Sequence, residues 1–125
     1  MKLKCLIIDD EPVARKVLQE FIEDIDWLEL AGQAENPLKA MRLLREQEID
    51  ILFLDINMPV MNGWDLLHAL QKDCFNKTVY VVIVSSSIDA ADKKKAFSFS
   101  KVIDFVEKPF DEIAIEKLKS KLPWL

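Results

Sequence analysis

The strongest constraint in this 125-residue chain is a change of hydrophobic rhythm that recurs along its length. Short, nearly uninterrupted apolar runs alternate with longer stretches whose apolar residues fall three and four apart, the pattern of strands alternating with helices. The runs are Leu3–Ile8, Leu28–Ala34, Ile49–Asp55, Val79–Ser85 and Val102–Glu107. Most are rich in Val, Ile, Leu or Phe, as strands covered on both faces require, whereas a half-exposed antiparallel strand would alternate. Leu28–Ala34 does alternate and belongs at an edge. Between the runs, Pro12 precedes Val13, Val17, Leu18, Phe21, Ile22 and Ile25, and Pro37 precedes Leu38, Met41 and Leu44. Proline at the first turn costs a helix nothing, because that N–H has no partner anyway. A third helix follows Gly63 with Trp64, Leu67 and Leu70 inward, and a last one follows Pro109 with Ile113, Ala114 and Leu118. The fourth, Ala90 to Phe99, carries the run Lys93-Lys94-Lys95 and ends in Ser98-Phe99-Ser100, so a short helix of modest stability is expected there. Parallel strands joined by right-handed helical crossovers predict a doubly wound α/β sheet in three layers, with strand order 2-1-3-4-5.

Composition closes off other classes. Half the residues are hydrophobic and 31% are charged, which suits one compact domain over residues 1–125 with a full core. With 22 acids against 17 bases, a net charge of −5, the chain is not built to grip nucleic acid phosphates. Two glycines cannot assemble a glycine-rich phosphate cradle. The longest apolar run, Val79 to Val84, has six residues, far below the roughly 20 needed to cross a bilayer. Asp9 and Asp10 interrupt the first apolar run before a signal peptide could form, so a cytoplasmic protein without a membrane partner is expected. Cys5 and Cys74 are read as free thiols.

In the 2-1-3-4-5 arrangement the winding direction changes between strands one and three, which opens a crevice at their carboxyl ends. Strand one ends in Asp9-Asp10-Glu11 and strand three in Asp55. Converging carboxylates raise one another's pKa and need a counter-charge. Oxygen-only ligands favour Mg²⁺, with Mn²⁺ as a substitute, held by Asp10 and Asp55 and by Asp9 through a water. Strand four ends in Ser85-Ser86-Ser87 and strand five in Glu107-Lys108-Pro109, adding a hydroxyl and an ammonium. A carboxylate nucleophile, a divalent cation, a hydroxyl and a lysine are the parts of a phosphoryl-transfer site, where positioning and charge neutralisation do most of the chemistry.

Four stretches carry a family likeness: Ile7-Ile8-Asp9-Asp10-Glu11-Pro12, Leu54-Asp55-Ile56-Asn57-Met58-Pro59-Val60-Met61-Asn62-Gly63, Ile83-Val84-Ser85-Ser86 and Lys108-Pro109-Phe110. Over nearly its whole length the chain resembles the CheY-like receiver domains of two-component response regulators, whose fold is of the flavodoxin type. The resemblance implies that a sensor histidine kinase or a histidine phosphotransfer protein phosphorylates Asp55. It also implies that Asp9, Asp10, Asp55 and the Asn57 backbone carbonyl hold Mg²⁺. Ser85 resembles the switch hydroxyl (Ser86 if the alignment slips by one), Phe105 the aromatic switch and Lys108 the phosphate-contacting lysine. The Lys-Pro bond is often cis in that family, which would aim Lys108 back into the site. The stretch from Ser85 to Lys108 is one residue longer than the family's usual spacing.

On this reading the chain is a stand-alone receiver with no output domain, not an enzyme beyond its own phosphoryl transfer and autodephosphorylation. Its signal would leave for a downstream protein through the surface of the fourth helix, fifth strand and fifth helix, where Lys93-Lys94-Lys95, Phe97 and Phe105 lie. Two rivals differ in kind. A haloacid-dehalogenase-type phosphatase would need a second acid two residues after its nucleophile, where this chain has Asn57. A receiver-fold binding module that is never phosphorylated would not need all five site residues. Asp9-Asp10-Glu11 alone could be an acidic helix start, the Pro59 and Gly63 regions read as turn chemistry, and His68, the only histidine, reads as a helix-surface residue.

Overall fold

A computed structural model describes residues 2–56, 63–72, 79–86, 89–108 and 111–121. Five strands alternate with five helices: β1 (Leu3–Ile8), α1 (Pro12–Glu23), β2 (Leu28–Ala34), α2 (Pro37–Glu46), β3 (Ile51–Leu54), α3 (Gly63–Lys72), β4 (Tyr80–Ser85), α4 (Ala90–Phe97), β5 (Val102–Glu107) and α5 (Glu112–Lys121). The strands form one sheet in the order β2-β1-β3-β4-β5, and every neighbouring pair is parallel. This is the CheY-like, flavodoxin-type doubly wound fold anticipated from the hydrophobic rhythm.

Strand side chains alternate between two cores. On one face Leu6, Ile8, Leu52, Leu54, Val81 and Ile83 pack with Ala40 and Leu44 of α2, Leu66, Leu67 and Leu70 of α3 and Ala96 of α4. On the other, Cys5, Ile7, Ile51, Phe53, Val82 and Val84 pack with Leu18 and Ile22 of α1 and Leu118 of α5. Because β3 lies in the middle of the sheet, all four of its residues are buried. At ~1.5–3 kcal/mol for each large apolar side chain, these two layers supply most of the drive to fold. Cys5 is a free thiol in the second core. Burial, with Asp50 and Glu29 nearby, pushes its pKa up to about 12, which makes it a packing residue rather than a nucleophile.

Several sequence expectations need correction. β3 begins at Ile51 rather than Ile49, since Asp50 turns its carboxylate to the Lys4 N–H at 2.8 Å. α4 stops at Phe97, and Phe99 folds into the core from the following turn. Val13, Leu38 and Ile113, read with the apolar residues of their helices, are 75%, 70% and 66% exposed. Phe105 is buried and adds nothing to the outer surface, whereas Phe97 is half-exposed. Cys74, Ser87, Pro109 and Trp124 lie outside the described residues.

The sheet register is broken twice. Ala31 is extra in β2 opposite Cys5 and Leu6, and Ile103 is extra in β5 opposite Val81 and Val82. The second lies in β5, ahead of Lys108. Past it, Ile83 pairs with Phe105 and Ser85 with Glu107.

Candidate functional site

Backbone hydrogen bonds carry the sheet pattern just beyond the strands and bring four chain segments level. The Asp9 N–H donates to the Ala34 carbonyl at 3.1 Å, Asp55 to Ile8 at 2.9 Å, and Lys108 to Ser85 at 2.8 Å. Asp9 and Asp10 therefore leave β1, Asp55 leaves β3, and Lys108 leaves β5 at the same end of the sheet. Carboxylate oxygens of Asp9, Asp10, Glu11 and Asp55 lie within 4.8 Å of one another. The Lys108 ammonium sits among them, with Nζ 2.8 Å from Asp9 Oδ2, 3.5 Å from Asp55 Oδ2 and 3.6 Å from Glu11 Oε1.

The acidic turn is tied down from two sides. The Glu11 N–H donates to Asp9 Oδ1 at 2.9 Å, and Arg15 Nη1 of α1 donates to the Asp9 carbonyl at 2.7 Å. Nothing in the sequence marked Arg15, because a cation in the first turn of a helix ordinarily reads as solvent-facing. Burial pulls the Lys108 pKa down more than any other single influence. The hydrogen bond to Asp9 and the charges of Asp55, Asp9 and Glu11 together outweigh it and hold the ammonium above the ordinary lysine value.

One ammonium against four carboxylates leaves the site strongly negative. Both oxygens of Asp9 are engaged, by Lys108 and by the Glu11 N–H, while the buried Oδ1 of Asp10 has no hydrogen-bond partner among the described residues. A buried, unpartnered carboxylate oxygen in an all-oxygen acidic cluster fits a hard divalent cation. Asp10 and Asp55 are carboxylates that could ligate such an ion.

The other anticipated residues fall as follows. Ser85 ends β4 and is fully buried, while Ser86 is exposed. Phe105 lies in the core formed with α2, α3 and α4. Asn57 lies outside the described residues. His68 is exposed on α3, its ring centre 5.1 Å from that of Phe99 in an edge-to-face arrangement. Phe99 stacks on Trp64 at 6.3 Å, and Lys95 lies over the Trp64 ring at 4.5 Å, joining α3 to α4. Beside Lys108 a cleft of about 290 Å³ opens, lined by Asp9, Glu11, Val13, Ala14, Val17, Leu18 and Val84.

Gly63 is a positional requirement that turn chemistry alone did not reveal. A Cβ there would lie 2.7 Å from Ile56 Cα and 2.9 Å from the Asp55 carbonyl oxygen, so α3 begins against the backbone that carries Asp55. Gly63→Ala is expected to cost about 1–3 kcal/mol by overpacking. Denaturant titration, paired with a Mg²⁺ titration, should show both stability and metal affinity falling.

Comparison with known proteins follows the geometry. The family described as "Response regulator receiver domain" matches residues 5–119. A protein-glutamate methylesterase/protein-glutamine glutaminase of Pyrococcus horikoshii is 34% identical, the match covering 96% of this chain and 32% of that protein. The transcriptional regulatory protein BtsR of Escherichia coli is 32% identical, with 96% of this chain and 48% of that protein covered. The chain thus spans between a third and a half of the length of these relatives. Among solved structures, a two-component response regulator from Cytophaga hutchinsonii superposes with a TM-score of 0.87 at 27% identity, over 97% of both chains. The response regulator domain of Thermotoga maritima CheB gives 0.80 at 26%, over 96% of this chain and 93% of that one.

Proposed function

Since this chain belongs to the response regulator receiver domain family, we propose that Asp55 accepts a phosphoryl group from a phosphohistidine on a sensor histidine kinase or a histidine phosphotransfer protein. The observation that carries this reading is the convergence of Lys108 with four carboxylates around a buried Asp55 at the carboxyl end of the sheet. An Asp55 carboxylate oxygen attacks phosphorus, the P–N bond breaks, and neutral imidazole leaves after protonation, giving an aspartyl phosphate. Lys108 neutralises charge on the equatorial phosphoryl oxygens, the contribution that phosphoryl transfer chiefly asks of a protein. Ser85, whose backbone carbonyl accepts from the Lys108 N–H, is taken as the hydroxyl that bonds the new phosphoryl oxygen.

Asp10 and Asp55, with the Asn57 carbonyl that the family resemblance adds and Asp9 through a water, would hold Mg²⁺, which when bound would further neutralise the transferred group. Mn²⁺ meets the same donor set. The new dianion draws Lys108 and Ser85 inward, Phe105 follows, and the surface of α4, β5 and α5 changes for a protein target. Among the described residues no helix is long and apolar enough to cross a membrane, and we place the protein in the cytoplasm.

Incubation with Mg²⁺ and acetyl phosphate tests the site without needing the cognate kinase. One phosphoryl group should be gained in the intact mass, dependent on Mg²⁺ and mapping to Asp55. A stable modification elsewhere, or no gain together with no beryllofluoride binding, overturns the assignment.

A further inference from the structure

Lys108 is held by three carboxylates, and the phosphotransfer proposed above uses only two of them. The third is Glu11. It stands at the N-cap of α1, where an acidic side chain would ordinarily turn to the free helix N–H groups, but it makes no side-chain cap hydrogen bond. Its Oε1 lies instead 3.6 Å from Lys108 Nζ. The bond from its own N–H to Asp9 Oδ1 fixes its backbone at the rim of the acidic cluster. Its side chain is 63% exposed, against 7% for Asp9 and 3% for Asp55, so it forms the outer edge of the site. It also lines the cleft that opens beside Lys108.

A phosphodonor must bring its negative charge past this edge, and Lys108 must leave Glu11 to meet it. We propose that Glu11 is a specificity-determining residue that restrains phosphorylation by free, dianionic acyl phosphates. It does so by sharing Lys108 with Asp9 and Asp55 in the resting site and by placing a fixed negative charge at the entrance. The inference rests on Asp55 being the phosphoacceptor. Repulsion at the rim weakens with donor charge and with salt, whereas a merely structural role would respond to neither.

The test compares the intact chain with Glu11→Gln and Glu11→Asp at saturating Mg²⁺, which keeps metal affinity out of the reading. Initial rates of Asp55 phosphorylation are followed against donor concentration. With acetyl phosphate at low ionic strength, Glu11→Gln should raise the rate at limiting donor by roughly three- to tenfold. Glu11→Asp should stay near the parent. The gain should shrink towards one in high salt and be smaller with phosphoramidate, which carries less negative charge. A Glu11→Gln rate equal to or below the parent's, or a gain indifferent to salt and donor charge, overturns the proposal while leaving Asp55 as acceptor. Failure of the parent itself to be phosphorylated at Asp55 overturns the underlying reading instead. Because Glu11 is exposed and caps nothing through its side chain, both variants should fold, as thermal melting will verify.

Discussion

Asp55→Asn is expected to abolish phosphorylation by acetyl phosphate or by a kinase, lowering the rate by roughly a thousandfold or more, the scale reached when a nucleophile is removed. An amide oxygen has the same shape but cannot open a P–N or acyl-phosphate bond and hold the product. The same substitution has an opposite effect on the resting fold. Asp55 is 3% exposed and shares a space of 4.8 Å with three other carboxylates, which one lysine does not balance. Removing one like charge while keeping the volume should raise the melting temperature in EDTA by a few degrees, equivalent to about 1 kcal/mol. It should also weaken Mg²⁺ binding. Intact-mass analysis and melting curves together check both halves, and a variant that is still phosphorylated would remove Asp55 from its role.

Lys108→Met should be the most destabilising single change at the site, and its cost should depend on the metal. The ammonium lies within 4 Å of carboxylate oxygens of Asp9, Glu11 and Asp55. Deleting one partner of a buried charge pair leaves the others uncompensated, at a cost of about 3 kcal/mol in EDTA. Mg²⁺ binds the folded site only, so at 100 times its dissociation constant it should return about 2.7 kcal/mol. With the competing ammonium gone the variant should bind Mg²⁺ more tightly than the parent, so at one fixed Mg²⁺ concentration the gain over EDTA in denaturant titrations should be larger for the variant. Equal losses in both would show that Lys108 does not balance the acidic cluster.

The pH dependence has a definite sign. The folded state holds Lys108 protonated above its ordinary value. Its contribution is complete below the unfolded lysine pKa and is lost as pH rises through the higher folded one. At neutral pH it is fully present, and the parent's extra stability over Lys108→Met should fade only in strongly alkaline solution.

The parts of this architecture set by local chemistry were readable in advance. β1, β2 and β5 begin and end where the apolar runs do, because each run is bounded by charged, polar or turn residues. Asp9, Asp10, Asp55 and Lys108 could be assigned to one place because parallel topology puts successive strand ends together. What the sequence withheld depends on which neighbour covers a residue. Helical spacing puts Val13 and Val17 on one face, but does not say that α1 leaves Val13 beside an open cleft. The grip of Glu11 on Lys108 and of Arg15 on the Asp9 carbonyl joins residues whose own segments read simply as a charged helix start. The bulge at Ile103 belongs to strand pairing and leaves no local signature.

The two bulges fall on the two outer strands, while the pairings of β1 with β3 and of β3 with β4 run without interruption. An outer strand offers its unused N–H and C=O groups to any passing chain, and a regular one is a template for fibrils. At Ala31 and at Ile103 that row of groups is thrown out of step and twisted, so a second sheet cannot zip along it. Pairing between copies through the backbone is thereby disfavoured along both edges, and recognition is left to side chains.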